Sequence, residues 1–229
     1  MKKIKNGLLV ILEGGEGVGK TTQSKDLVDY YNSKGYSAKY FREPGSSELA
    51  EKIRNLILYN EMDATTETLL FSAARNINVN ENILPALRDG NIVILDRFYK
   101  STMVYQGVLK NTNMKFIIDC INEVTKDLFN NDMNMLEFTL LCDPEIAMER
   151  AASEGHERNK NDVLPYEKYK IINDAFRNLH FYQPYEIGTD LVYNAGIIDT
   201  TGYNKEEVFT LLLNGINSVI CDELEVYED

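Results

Sequence analysis

Cysteine, histidine, positive charge and long apolar runs are all scarce in this 229-residue chain. The three cysteines, Cys120, Cys142 and Cys221, are odd in number and lie far apart without a Cys-x-x-Cys pair. That spacing argues against a disulfide framework or a cysteine zinc site. It fits a reducing compartment, and a cytoplasmic location is expected. His156 and His180 are too few and too distant to build a metal centre, so both read as surface or packing residues. No apolar run approaches the roughly 18 residues that span a membrane, so no membrane partner is expected. The basic start Met1-Lys2-Lys3-Ile4-Lys5 precedes only a short apolar run, Leu8 to Leu12, and then Glu13. This reads as a first strand rather than a signal peptide. Lys and Arg number 24 against 36 Asp and Glu, a net charge of −12. A general nucleic-acid binder carries a basic face, so no nucleic-acid partner is expected. Any anionic ligand must then be met by local cations, which draws attention to the arginines at 42, 75, 97, 150 and 158. The acidic stretch 221–229 reads as a solvated or frayed tail.

Strand-like and helix-like runs alternate along the rest. Strands are expected at Leu8–Leu12, Ser37–Phe41, Ile92–Leu95 and Phe138–Cys142, with a weaker one between Leu191 and Ile198. Helices are expected from Thr22 to Lys34, around Leu49, Ile53, Leu56 and Ile57, and over about 66–87, where Pro85 reads as a break near the end. Others fall near 101–108, 115–129, 145–153, 166–182 and 205–219. Such a rhythm predicts one α/β domain with a largely parallel sheet covered on both faces. Right-handed crossovers bring the loops after the strands to one edge, where ligands bind. The polar, aperiodic stretch 152–165 lies between two helices and reads as a disordered loop or a functional flap.

The densest signal is Gly14-Gly15-Glu16-Gly17-Val18-Gly19-Lys20-Thr21, which fits G-x-x-x-x-G-K-[ST]. An apolar strand precedes it and a helix follows, the context in which this turn cradles phosphates on backbone N–H groups. Lys20 is placed for the β- and γ-phosphates of a nucleoside triphosphate and the Thr21 hydroxyl for Mg²⁺. Asp96-Arg97 ends another apolar strand. The pair is either a surface ion pair or a carboxylate for the Mg²⁺ shell beside a phosphate-binding arginine. In Arg42-Glu43-Pro44-Gly45, Pro-Gly alone explains a type II turn, and Arg42 is a candidate clamp for a second phosphate. Phe71 and Arg75 share a helix face, either as a core Phe and a surface Arg or as a receptor for a flat base.

Taken in order, these stretches resemble one family. They are Leu-Glu-Gly-Gly-Glu-Gly-Val-Gly-Lys-Thr-Thr-Gln (12–23), Arg-Glu-Pro-Gly (42–45), Leu-Leu-Phe-Ser-Ala-Ala-Arg (69–75), Asp-Arg-Phe (96–98), Ser101, Tyr105-Gln106-Gly107, residues 143–150 and Glu157-Arg158. The sequence is similar to the thymidylate kinases, P-loop nucleoside monophosphate kinases that make dTDP from dTMP and ATP. The likeness covers about residues 7 to 220. It implies a three-layer P-loop fold with a five-stranded parallel sheet in the order 2-3-1-4-5. It also implies a single domain over 1–220, a mobile lid over about 152–165, and a homodimer.

By the same resemblance, residues Gly14 to Thr22 and Arg150 would meet ATP, with Mg²⁺ on Thr21 and Asp96. Glu16 would contact the dTMP 3′-hydroxyl, and Arg42 and Arg97 its phosphate. Phe71 would stack on thymine, Arg75, Gln106 and Ser101 would bond its edge, and Tyr105 would lie under the sugar. Lys20, Arg97 and Arg158 would be the catalytic cations. No basic residue lies inside the loop at 15–18, which points to the lid, with Arg158 ahead of Lys160 and Arg150. The chain departs from the family at Ser46-Ser47, where Gly-Thr is common, at Ala74, and at Phe98, where Tyr is usual. Two alternatives stay open: a same-fold kinase with another acceptor, and a P-loop switch protein.

Overall fold

The computed structural model describes residues 1–129, 133–153, 164–179 and 192–228. The expected lid lies almost wholly outside these residues, and so do Arg158, Lys160 and both histidines. The central strand β2 (Leu8–Gly14) is buried along its whole length. It pairs in parallel with β4 (Ile92–Asp96) on one side and β5 (Asn134–Leu141) on the other. The outer strands are β3 (Ala38–Arg42) and β6 (Val192–Asp199), which gives the expected order, β3-β4-β2-β5-β6.

Alternation along β2 splits the core in two. Leu8, Val10 and Leu12 face one cluster with Leu27 and Tyr31 of α1 (Lys20–Ser33) and Leu212 and Ile216 of the helix Lys205–Glu223. Leu9 and Ile11 face the other, with Ile83, Leu87, and Ile117 and Ile121 of α6 (Met114–Phe129). Covering both faces is what lets the central strands read as unbroken apolar runs. No described helix is long and apolar enough to cross a membrane.

Several local expectations need correction. Strand β5 begins at Asn134, four residues ahead of the expected Phe138. The added residues include Glu137, whose carboxylate is buried and paired with the equally buried Lys100. Pro85 does not end its helix. After α3 (Ala64–Asn78) the chain makes a π-helical turn, Val79–Ile83, and Pro85 then falls in the first turn of α4 (Leu84–Arg88), where a missing N–H costs little. On α2 (Glu48–Tyr59), Ile57 is buried but Leu49 and Leu56 are 53% and 51% exposed.

The acidic end is not frayed. Val226–Glu228 forms β7, antiparallel to β1 (Lys2–Ile4). Lys5 pairs with Glu225 at 2.9 Å between the basic start and the acidic end, while Lys3 pairs with Asp89 at 2.9 Å. Ile4 is fully buried beneath this clasp.

Candidate active site

The loops after β2, β3 and β4 meet at one sheet edge and line a cavity of about 1330 Å³. This exceeds the roughly 300–1,000 Å³ of a typical single small-molecule site, leaving room for two ligands. At its floor lies the glycine turn. Gly17 has φ 72°, and an added Cβ would sit 2.0 Å from the Ala147 carbonyl oxygen, so only glycine fits. Gly19 has φ 92° and nothing within 4 Å of an added Cβ, so its open side is free for close approach. It caps α1 without a side-chain bond, and the first turn carries no acidic residue. The backbone donors of that turn therefore suit an anion. Gly14 and Gly15 shape the turn, and Val18 packs into the core, so only its backbone can serve a ligand. Thr22 lines the cavity.

Lys20 is buried and donates to the Gly15 carbonyl. Burial, then repulsion from Arg97, lowers its pKa to about 8. Thr21 Oγ1 donates to Asp96 Oδ2 at 2.5 Å, while Asp96 Oδ1 is buried with no hydrogen-bond partner. A hydroxyl beside an under-satisfied carboxylate is a hard-oxygen donor set that fits Mg²⁺.

Three arginines surround the next part of the cavity. Arg97 takes φ 69°, which turns its side chain back across the glycine turn. Its Nη1 donates to Gly14 O at 2.9 Å and Ser101 Oγ at 3.3 Å, and its Nη2 lies 2.7 Å from Glu16 Oε1. The guanidinium also stacks 5.4 Å from the Tyr105 ring centre. Burial opposes the charge on Glu16, but Arg97 and then Lys20 outweigh it and hold the carboxyl below its usual range. Burial, then the Glu16 charge, raises the Tyr105 phenol. Arg42 pairs with Glu51 at 3.0 Å. Arg54 of α2 donates to the Pro44 carbonyl at 2.9 Å and faces the same cavity. Sequence reasoning missed Arg54, and only its position on a helix after the Arg-Glu-Pro-Gly turn hinted at it.

That turn differs from expectation, since the Glu43–Pro44 peptide is cis rather than the trans link of a type II turn. Ser46 follows at φ 75°, the left-handed region that suits the glycine common in the family. Its hydroxyl compensates by accepting from Arg42 N at 2.8 Å and donating to Arg42 O at 3.1 Å.

The far end of the cavity holds Phe71, Arg75, Tyr105 and Gln106. Arg75 is no surface residue. Its Nε lies 2.6 Å from Glu43 Oε2, and its Nη2 donates to Phe98 O at 2.9 Å and Thr102 Oγ1 at 3.0 Å. Only Nη1 is left without a partner. One wall is formed by α5 (Tyr99–Thr102) and the π-helical stretch Met103–Leu109 that continues it. Its cavity-lining residues come in pairs four apart: Ser101 and Thr102, Tyr105 and Gln106, Leu109 and Lys110.

Three buried carboxylates clamp the start of this wall, and sequence reasoning assigned none of them a role. Glu13 accepts from Phe98 N at 2.9 Å, Ser101 N at 3.1 Å and Ser101 Oγ at 2.6 Å. Glu43 holds Arg75, and Glu137 pairs with Lys100 and accepts from Tyr99 Oη at 2.6 Å. Burial raises the pKa of Glu43 and of Glu137 against the pull of Arg75 and Lys100. The one available signal was a lone acid in or beside an apolar strand. Arg150 stands apart from the cavity lining. It donates to the Thr200 carbonyl at 3.2 Å and hydroxyl at 3.3 Å.

A phosphate-binding turn, a carboxylate–hydroxyl pair, a cluster of arginines and an aromatic platform in one cleft define a P-loop nucleotide kinase. Comparison with known proteins agrees. A family model described as thymidylate kinase matches residues 12–183. The thymidylate kinase of Rickettsia bellii strain RML369-C is 35% identical over 220 residues, covering 96% of this chain and 100% of that protein. That of Caldicellulosiruptor saccharolyticus is 36% identical over 165 residues, covering 71% of this chain and 76% of that protein. The chain belongs to the thymidylate kinase family.

Proposed function

We infer that this chain transfers the γ-phosphoryl group of ATP to dTMP, yielding dTDP and ADP. The observation that carries this reading is the shared cavity. It sets Lys20 and Thr21 beside a second cluster of cations, Arg42, Arg54 and Arg97, with Phe71, Arg75 and Gln106 beyond them. A protein that only switches on a bound triphosphate needs no such second compartment.

The glycine turn and the first turn of α1 would hold the β- and γ-phosphates of ATP, with Lys20 neutralising them. Thr21 and Asp96 would hold Mg²⁺, which supplies charge neutralisation on the phosphates when bound. Arg42, Arg54 and Arg97 would fix the acceptor phosphate, whose oxygen is already anionic near neutral pH. The nucleophile therefore needs no general base. Arg97 spans both compartments through Gly14 and Glu16, which suits it to steady the group in flight. Glu16 and Tyr105 would pack against the sugar, Phe71 would stack on the base, and Arg75, Gln106 and Ser101 would face its edge. Arg158 would close over the transferring phosphoryl group. The exposed apolar residues Leu49, Leu56 and Leu69 support a homodimer.

Profiling acceptors with radiolabelled ATP tests the reading. The expected result is dTMP preferred over dUMP, dGMP, dCMP and thymidine. A strong preference for any of the others would sink it.

A further inference from the structure

We propose that Glu67 sets which base the cavity accepts, by locking the Gln106 amide so that its oxygen faces the ligand. The proposal rests on the dTMP reading and deepens it. Glu67 is buried on α3, one helical turn before Phe71. Its Oε2 accepts from Gln106 Nε2 at 2.8 Å and lies 2.6 Å from Lys110 Nζ. A carboxylate only accepts hydrogen bonds, so the amide must turn its NH₂ end toward Glu67. Lys110, which can only donate, shares that carboxylate oxygen with the amide. The opposite end of the amide, Gln106 Oε1, is buried with no hydrogen-bond partner. So is Arg75 Nη1. Both residues line the cavity beside Phe71.

Buried polar atoms in this condition are expensive unless something satisfies them. One here is an acceptor and the other a donor. Thymine and uracil present N3–H, a donor, beside O4, an acceptor, which complements the pair. Cytosine presents N3, an acceptor, beside a 4-amino donor, and so mismatches both positions. Arg75 cannot reverse its polarity. Gln106 can, by a half-turn of its amide, and Glu67 is what prevents that turn. Glu67 is thus a positioning residue for base choice and need not touch the base itself.

The test is the ratio of kcat/KM for dTMP to that for dCMP in wild type, Glu67→Gln, Gln106→Ala and the double variant. A glutamine at 67 can donate or accept, so either end of the Gln106 amide can face it. The expected result is a ratio narrowed about tenfold in Glu67→Gln, the scale of one mispaired buried group, carried mainly by KM. In the Gln106→Ala background the same change should move the ratio less than about twofold, because Glu67 acts through Gln106. An unchanged ratio in Glu67→Gln, or an equal shift in both backgrounds, overturns the proposal while leaving the dTMP reading intact. A wild type that does not phosphorylate dTMP overturns both. If Glu67→Gln does not fold, Lys110→Met takes its place, since Lys110 is 33% exposed and its loss weakens the same lock. A narrowed ratio supports the proposal and an unchanged one overturns it.

Discussion

Replacing Arg75 by methionine keeps most of the side chain's packing against Phe98 but strips the charge from a pair buried on both sides, 2% and 3% exposed. Removing one partner of such a pair costs about 3–5 kcal/mol, because the other charge is left uncompensated. The lost bonds to Phe98 O and Thr102 Oγ1 belong to the same rupture rather than adding to it. At about 2–4 °C per kcal/mol for a domain of this size, Tm should fall by about 6–20 °C. The loss should depend on pH in a particular direction. Burial already raises the Glu43 pKa, and Arg75 opposes that rise. Without Arg75 the folded pKa climbs further above its unfolded value. The folded state then binds more protons than the unfolded one, so stability is lost as pH rises from the unfolded pKa through the folded pKa. Arg75→Met should therefore lie nearest to wild type in mild acid and fall further behind toward neutrality. Adding Glu43→Gln removes the stranded charge and should recover about 1–2 kcal/mol and flatten the pH dependence. Urea unfolding of wild type, both single variants and the double, from about pH 5 to pH 7.5, reads all of this. A deficit below about 1 kcal/mol, or one that shrinks as pH rises, would refute the reasoning.

Arg54→Ala should raise KM for dTMP about tenfold or more, the scale of one charge-assisted hydrogen bond, and steady-state kinetics with an unchanged KM would remove Arg54 from the acceptor site. Arg158→Ala should lower kcat about a hundredfold or more with a smaller effect on KM, as loss of an arginine acting only in the transition state does. If kcat barely moves, the catalytic charge comes from elsewhere. Lys20, with its pKa near 8, should gain protonation when triphosphate binds beside it. ATP binding near pH 8 should then take up a fraction of a proton, seen as a calorimetric enthalpy that varies with the ionisation enthalpy of the buffer. The same enthalpy in every buffer would contradict this.

The glycine turn was legible because it is a local pattern: an apolar run, a fixed spacing, then a helix. The sheet order pairs distant segments and came only from the resemblance to the family. Arg97 was legible from its place at the end of an apolar strand, whereas Phe71 stayed open between a core residue and a base platform until the family resemblance gave it a role. What escaped depends on contacts between distant segments. The β1–β7 clasp joins two three-residue strands from opposite ends of the chain, too short to show alternation. Glu13, Glu43 and Glu137 looked like strand flanks until their partners Ser101, Arg75 and Lys100 were placed around them. Arg75 kept its expected place in the cavity, yet most of its guanidinium is committed to the fold. The exposure of Leu49 and Leu56 also ran against a clean helical period, since periodicity shows which residues share a face and not what covers it.

The paired residues along the Met103–Leu109 wall make length, more than composition, the quantity this part of the chain must preserve. A wider helical turn keeps residues four apart in line, so 101–102, 105–106 and 109–110 point the same way. An ordinary α-helical turn reaches the same direction with fewer residues, so deleting one residue here would close the wider turn while the chain beyond it keeps roughly its face. The change would fall inside the stretch itself, where Tyr105 and Gln106 would lose their spacing from Ser101 and Thr102. Side chains here can be exchanged one at a time and each judged on its own chemistry. The one extra residue is what sets which of them meet the cavity.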